Sequence, residues 1–316
     1  MRDDLDVVFR EVGLRDGLQI IKTFFPTDQK IAWVKAVAAA GVPIAQVTSF
    51  VPPKVLPQFT DAAEVCEAAR KIDGLCVSVL VPNLKGAERA VASGAHELGF
   101  IASVSEGHSL ANVRRTSEEA VQEFARIVEY RDSLPADKRF NLTAGLSTAF
   151  GCTIDGAVPP EAVMALSSKF VEAGADELVV SDTVGYANPV QVKSLIGEIV
   201  REFGSAVKIL SHFHDTRGLG LANAYAAYEA GCRMFDASMA GLGGCPFAPL
   251  ASGNIVMEDL VFMFEASGLR TGIDLEKLTD IRTIISNSLP DEPLHGFYAK
   301  AGAPKDFKQV AMPMTR

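Results

Sequence analysis

The chain has 316 residues, 48% hydrophobic and 22% charged, with a net charge of −9, the balance of a soluble globular protein. An acidic surface without a basic stripe excludes nucleic acid as a partner, but leaves room for a phosphorylated small molecule held by a local basic patch. No apolar run approaches the roughly 20 residues of a membrane span.

The N-terminus "MRDDLDVVFREVG" enters a strand at once, with no signal or transit peptide, and the five cysteines (Cys66, Cys76, Cys152, Cys232, Cys245) are scattered. Both features suit reduced thiols and a cytoplasmic protein that avoids membranes. Short apolar runs then recur in chain order: 7–13, 44–50, 75–81, 97–103, 140–148, 177–183, 208–215 and 234–241. Between them lie segments of helical period such as 27–41, 160–174 and 188–204. Asp61, Thr116 and Asn188 are placed to cap helix starts, and Gly41, Gly174 and Gly204 to stop them. Strand–helix alternation repeated eight times without a Pro/Ser-rich linker predicts a (β/α)₈ TIM barrel over residues 1–288. A doubly wound open sheet is the rival, but no Gly-x-Gly-x-x-Gly follows the first strand. Residues 289–316 are Pro-rich and aperiodic, which predicts a short C-terminal appendage, a lid or an oligomer contact.

Barrel enzymes carry their chemistry at the C-terminal ends of the strands. Strand one ends in "EVGLRDGLQ" with Arg15 and Asp16, and strand six in "SDTVG" with Asp182. Strand seven ends in "SHFHD", where His212 and His214, two of only five histidines, stand one residue apart. Residues i and i+2 of a strand share a face, so the two imidazoles project side by side, and neutral imidazole is the commonest metal-binding side chain. Strand eight leads into "AGLGGCPFAPLASGN" with Cys245 and Asn254. Taken singly these residues have plain explanations: Asp16 in a turn, Asp182 or Asn254 capping a helix, Cys245 an inert thiol. Taken together, one fold brings them all to the same rim. An Asp, two His and an Asn carbonyl form a mixed nitrogen and oxygen set suited to a divalent cation of the Mg²⁺/Mn²⁺/Co²⁺/Zn²⁺ group.

These motifs, with "TSFVPPKVLPQ", "SVLVPNLKG" and "HFHDTRGLGLAN", resemble those of the 3-hydroxy-3-methylglutaryl-CoA lyase family of the DRE-TIM metallolyase superfamily, from about Val7 to Leu289. The glycine-rich loop around Cys245 is the most specific of them. The resemblance implies a TIM barrel with a divalent metal, Mg²⁺ or Mn²⁺ first, held by Asp16, His212, His214 and Asn254. It places Arg15, Asp16, Asp182, His212 and Cys245 at catalytic positions and Gln19, Gln46 and Asn83 at substrate-binding ones. The implied reaction is retro-Claisen cleavage of an acyl-CoA substrate to acetyl-CoA and a keto acid, and the implied assembly a homo-oligomer. Gln46 stands where the family carries an acidic residue, Leu14 where it carries proline, and Ile20 and Ile21 where it carries polar residues. The implied substrate is 3-hydroxy-3-methylglutaryl-CoA or a close 3-hydroxy-3-carboxyalkyl-CoA analogue, and the less acidic, more apolar rim makes citramalyl-CoA or a longer 3-hydroxy-3-alkylglutaryl-CoA the alternatives. Rival readings are a Claisen-condensing synthase of the same superfamily, a non-haem Fe(II) oxygenase and a non-catalytic metal-binding protein.

Overall fold

The chain closes on itself. A computed structural model describes residues 4–243 and 253–311. In it β1 (Val8–Glu11), β2 (Ile44–Ser49), β3 (Cys76–Leu80), β4 (Glu97–Ser103), β5 (Asn141–Ser147), β6 (Glu177–Asp182), β7 (Lys208–Phe213) and β8 (Met234–Ala237) pair in chain order. β8 returns parallel to β1, with Val8 opposite Met234 and Glu11 opposite Ala237. This is the expected (β/α)₈ barrel. Its outer ring includes α1 (Thr27–Ala39), α2 (Ala62–Ala69), α3 (Leu84–Ala92), α4 (Glu106–Val113), α5 (Ser117–Ser133) and α6 (Pro160–Glu172). It continues with α7 (Pro189–Phe203), α8 (Gly220–Glu229), α9 (Met257–Ala266) and α10 (Leu275–Ser288). No described helix is long and apolar enough to cross a membrane.

Local chemistry explains most of the boundaries. Thr116 and Asn188 each close a capping box, with Glu119 and Gln191 as reciprocal partners. Gly41 and Gly174 turn the chain after α1 and α6 at φ of 93° and 100°, in the left-handed region that a Cβ disfavours. Gly204 stops α7 as expected, at a right-handed φ of −65° where a Cβ would lie 2.5 Å from Val200 O. Asp61 occupies the cap position of α2, but its carboxylate accepts from Thr27 Oγ1 and Lys30 Nζ, each at 2.8 Å, and ties α2 to α1.

The helices bury their apolar stripes against the barrel exterior around Trp33, Phe124, Phe170, Phe235 and Phe264. Each such side chain removed from water stabilises the fold by roughly 1.5–3 kcal/mol. Inside, Leu5, Val8, Val179, Leu210 and Met234 plug the lower barrel. Above this plug the inward face turns charged. Arg10 of β1 donates from Nε and Nη2 to both Asp236 oxygens of β8, at 2.7 and 3.1 Å. Its Nη1 reaches Glu97 of β4 at 2.8 Å and Glu177 of β6 at 3.1 Å. One buried guanidinium thus joins four strands.

The tail keeps to the outside of the barrel. Tyr298 and Phe307 stack on Phe262 of α9, with ring centroids 5.1 and 5.2 Å apart. Gln309 Oε1 accepts from the Leu275 N–H at the start of α10. Closer to the strand ends, the His295 N–H donates to Ala240 O at 2.9 Å and braces the loop after β8.

The charged layer makes stability depend on pH. Burial, reinforced by Glu97, pushes the Glu177 carboxyl from 4.5 up to about 8, against the pull of Arg10. The folded chain therefore keeps a proton that the unfolded chain releases above its ordinary pKa, and stability falls as pH rises from about 4.5 to 8. Glu177→Gln, which mimics the protonated acid, should flatten this part of the profile. Melting curves between pH 5 and 8 should show the variant losing a few degrees less in Tm than the wild type. An unchanged slope would place the proton elsewhere.

Candidate metal centre and active-site cavity

Leaving β1, the chain curls tightly around one carbonyl. Val12 O accepts from the N–H groups of Arg15, Asp16 and Gly17 at 3.1, 2.7 and 3.2 Å. This turn carries Arg15 and Asp16 to the cavity wall. Glu11 fixes its position: its Oε1 accepts from the Gly13 N–H at 2.7 Å and the Met239 N–H at 3.1 Å, tying the loop after β1 to the loop after β8. Burial pushes the Glu11 carboxyl up to about 7.

His212 and His214 project together from the end of β7, as the strand period requires. Their Nε2 atoms face each other at 3.1 Å, and Asp16 Oδ2 stands 3.9 Å from the first and 3.6 Å from the second. Among the described residues this is the one group of three or more such side chains able to hold a metal ion. Burial opposes ionisation of Asp16, but the Arg15 charge and the hydrogen bond to His214 outweigh it and hold the carboxyl well below the usual range. Asn254 joins the group by bridging to His214, and its Nδ2 donates to Asp16 Oδ2 at 2.8 Å and to Leu242 O at 3.1 Å. This approach needs Gly243, at φ 121°, because a Cβ there would lie 2.5 Å from Asn254 Nδ2.

These residues fit a divalent cation. Two imidazole Nε2 atoms 3.1 Å apart cannot both be protonated, and the separation matches neighbouring ligands of a six-coordinate ion, about 3 Å apart at a metal–ligand distance of about 2.1 Å. Asn254 Oδ1 and His214 Nδ1 are buried with no hydrogen-bond partner among the described residues. The other nitrogen of His212 is engaged: Nδ1 lies 3.0 Å from Asp236 Oδ2. A carboxylate on the far nitrogen orients a metal-binding imidazole and raises its basicity.

Arg15 lies on the cavity side of this group. Its Nε donates to Gln46 Oε1 and its Nη1 to Asp16 Oδ1. Both partners fix the guanidinium plane. The cavity, about 510 Å³, runs from the rim, where Gln19, Asn83 and Arg115 line it, down past Asp16 and the histidines to Arg10. Asn83 also caps α3 through Oδ1, which accepts from the Gly86 N–H.

The structure therefore brings together Arg15, Asp16, Gln19, Gln46, Asn83, His212 and His214 on one cavity, with Asn254 against Asp16. Asp182 is placed differently. Its carboxylate oxygens accept from the Tyr186 and Ala187 N–H groups at 2.8 and 3.1 Å, holding the loop after β6, and the residue is not among those lining the cavity. Cys245 lies outside the described residues. Asp236 and Arg10 were not singled out by the sequence, although a charge inside the apolar runs "VVFREVG" and "MFDASMAG" is the trace they leave. His108 was also missed; it lines the cavity with its Nδ1 2.7 Å from Ser103 Oγ.

Known proteins share this arrangement of sequence and fold. The HMGL-like family model matches residues 6–285. The hydroxymethylglutaryl-CoA lyase YngG of Bacillus subtilis is 40% identical over 274 residues, covering 86% of this chain and 89% of that protein. The mitochondrial hydroxymethylglutaryl-CoA lyase of Homo sapiens is 38% identical over 279 residues, 88% of this chain and 84% of its own. A solved HMG-CoA lyase from Acinetobacter baumannii, in complex with coenzyme A and 3-methylmalate, superimposes with a TM-score of 0.88 at 39% identity, covering 98% of this chain and 99% of that one. By sequence and by fold, the chain belongs to the HMGL-like family.

Proposed function

We propose that the protein is a divalent-metal-dependent carbon–carbon lyase, cleaving 3-hydroxy-3-methylglutaryl-CoA or a close 3-hydroxy-3-carboxyalkyl-CoA analogue to acetyl-CoA and a keto acid. The observation that carries the reading is the meeting, on one cavity wall, of a cation-binding group (Asp16, His212, His214) with Arg15. The family match and the coenzyme A complex of a relative support it. Mg²⁺ or Mn²⁺ suits the donors best, since the carboxylate and amide oxygens disfavour a closed thiolate-type zinc site. Arg115 at the cavity wall, anchored on Pro82 O at 3.0 Å, offers a fixed positive charge to an acyl-CoA.

Retro-Claisen cleavage requires a base for the C3 hydroxyl, a counter-charge for the thioester enolate and an acid for the departing carbon. Asp16, His212, His214 and Asn254 would hold a divalent ion, whose charge would lower the pKa of the substrate hydroxyl beside it. His212 is the better base of the two at the rim. Its Nδ1 faces Asp236, so a proton taken on Nε2 gives an imidazolium that Asp236 stabilises directly. Asp16, held well below its ordinary pKa, is the weaker acceptor. His212 takes the proton only with Nε2 off the ion, which Asp16, His214 and Asn254 would then hold. Arg15 keeps Nη2 free of the bonds to Gln46 and Asp16, and it can donate to the enolate oxygen from a fixed plane. Cys245, approached through Gly241 and Gly243 at positive φ, is the thiol we assign to protonating the acetyl-CoA carbon.

Incubating the protein with 3-hydroxy-3-methylglutaryl-CoA and its analogues should release acetyl-CoA. Chelation should abolish the release and Mg²⁺ or Mn²⁺ restore it; full activity in metal-stripped protein would refute the reading. Arg15→Lys retains the charge but not the planar fork, so kcat should fall by on the order of 100-fold or more with KM changed less. Near-normal kcat in that variant would reduce Arg15 to a general charge contact.

A further inference from the structure

The cavity extends deeper than the cation-binding group needs. Below Asp16 and His212 it continues to Arg10 and Thr143, in the part of a barrel that bulky side chains ordinarily fill in layers. The reason lies on the opposite wall. On β4 the inward positions are Glu97, Gly99 and Ile101, and on β5 they are Thr143, Gly145 and Ser147. Two of these six have no side chain, both line the cavity, and neither has a positive φ that would demand glycine. Glycine within a strand weakens it and marks a site where another group approaches the backbone.

The two glycines act differently. At Gly99 a Cβ would lie 3.0 Å from Gln46 Nε2, so its absence lets the Gln46 amide lie against β4 while Oε1 accepts from Arg15. At Gly145 the nearest atom to a Cβ would be Ile101 Cγ1, at 3.2 Å. A larger branch there would have to enter the cavity. The strand neighbours of Gly145 in register are the apolar Ile101 and Val179, while Thr143 and Ser147 stand on either side of it along β5. On the same cavity three acidic side chains, Glu97, Glu177 and Asp236, surround the single Arg10 guanidinium, so it has no spare positive charge to offer an anionic substituent.

We infer that the recess at Gly145 receives an uncharged, extended alkyl or alkenyl branch on C3 of the substrate, with Gly145 as the specificity-determining residue. This rests on the lyase reading above and narrows it. A substrate held at Asp16, His212 and His214, on the β7–β8–β1 side, faces the β4–β5 wall across the barrel. With the thioester arm assigned to the rim, where Asn83 and Arg115 line the cavity, the direction left for a long C3 branch is inward.

The test compares the Mg²⁺-loaded full-length protein on 3-hydroxy-3-methylglutaryl-CoA and on a 3-hydroxyglutaryl-CoA bearing a six-carbon C3 chain. The wild type should show kcat/KM at least tenfold higher for the long-chain thioester. In Gly145→Val the ratio of the two kcat/KM values should fall at least tenfold, with Gly145→Ala lying between. If the valine variant does not fold, as judged by its Tm, the alanine variant carries the comparison and should still lower the ratio. A wild-type preference for the methyl thioester, or a ratio unmoved by substitution at Gly145, would overturn the inference while leaving the lyase reading intact. Cleavage of neither thioester would overturn both.

Discussion

The arrangement depends on one buried contact, Arg10 against Asp236. Arg10 grips both oxygens of Asp236, and Asp236 faces His212 Nδ1, so the orientation of the imidazole is set from within the barrel. Burying a guanidinium with three carboxylates is expensive, and replacing such a cluster with apolar packing is often neutral or stabilising. Here it has a positional consequence. It leaves Nε2 of His212 as the one free lone pair, aimed at His214 and Asp16. Burial resists ionisation of Asp236, yet Arg10 and His212 hold its carboxyl below the ordinary value. Glu177 absorbs the excess charge by keeping a proton.

A second constraint acts above that layer. Glu11 ties the turn carrying Arg15 and Asp16 to the root of the loop after β8, and Gly243 lets Asn254 close on Asp16. The strands supply the histidines, and the loops supply the carboxylate, amide and guanidinium. His295 of the tail bonds to the same root at Ala240, and Arg282 connects His295 O to Glu258 on α9 at 2.7 Å from each. The tail therefore bears on the loop that leads to Cys245. Site and fold share these contacts, and a change in either should be felt in the other.

Much of this was legible in the sequence because it obeys short periods. The strands appear as apolar runs, and His212 and His214 announce themselves by their i, i+2 spacing at the end of one of them. Thr116 and Asn188 carry their caps within three residues. What escaped was long-range. Arg10 and Asp236 are 226 positions apart, and Arg10 and Glu177 are 167 apart, so no local pattern joins them. Asp61 looks like a helix cap until Lys30 is folded against it. Asp182 sits at the end of a barrel strand as a catalytic residue would, yet its oxygens serve the Tyr186 and Ala187 amides. Glycines read as hinges and turns in sequence, whereas Gly99 and Gly145 matter for the space they leave inside a strand.

Pulsed EPR of the Mn²⁺-loaded protein tests most directly whether the positioned imidazoles hold an open metal centre. The expected spectrum shows ¹⁴N couplings from two histidines and protons of bound water, with one coupling lost in His214→Ala. The water signal should fall when a non-cleavable hydroxyacyl thioester is added. A spectrum without histidine nitrogen, or with the water unaffected by the thioester, would contradict a metal-centred active site at Asp16, His212 and His214.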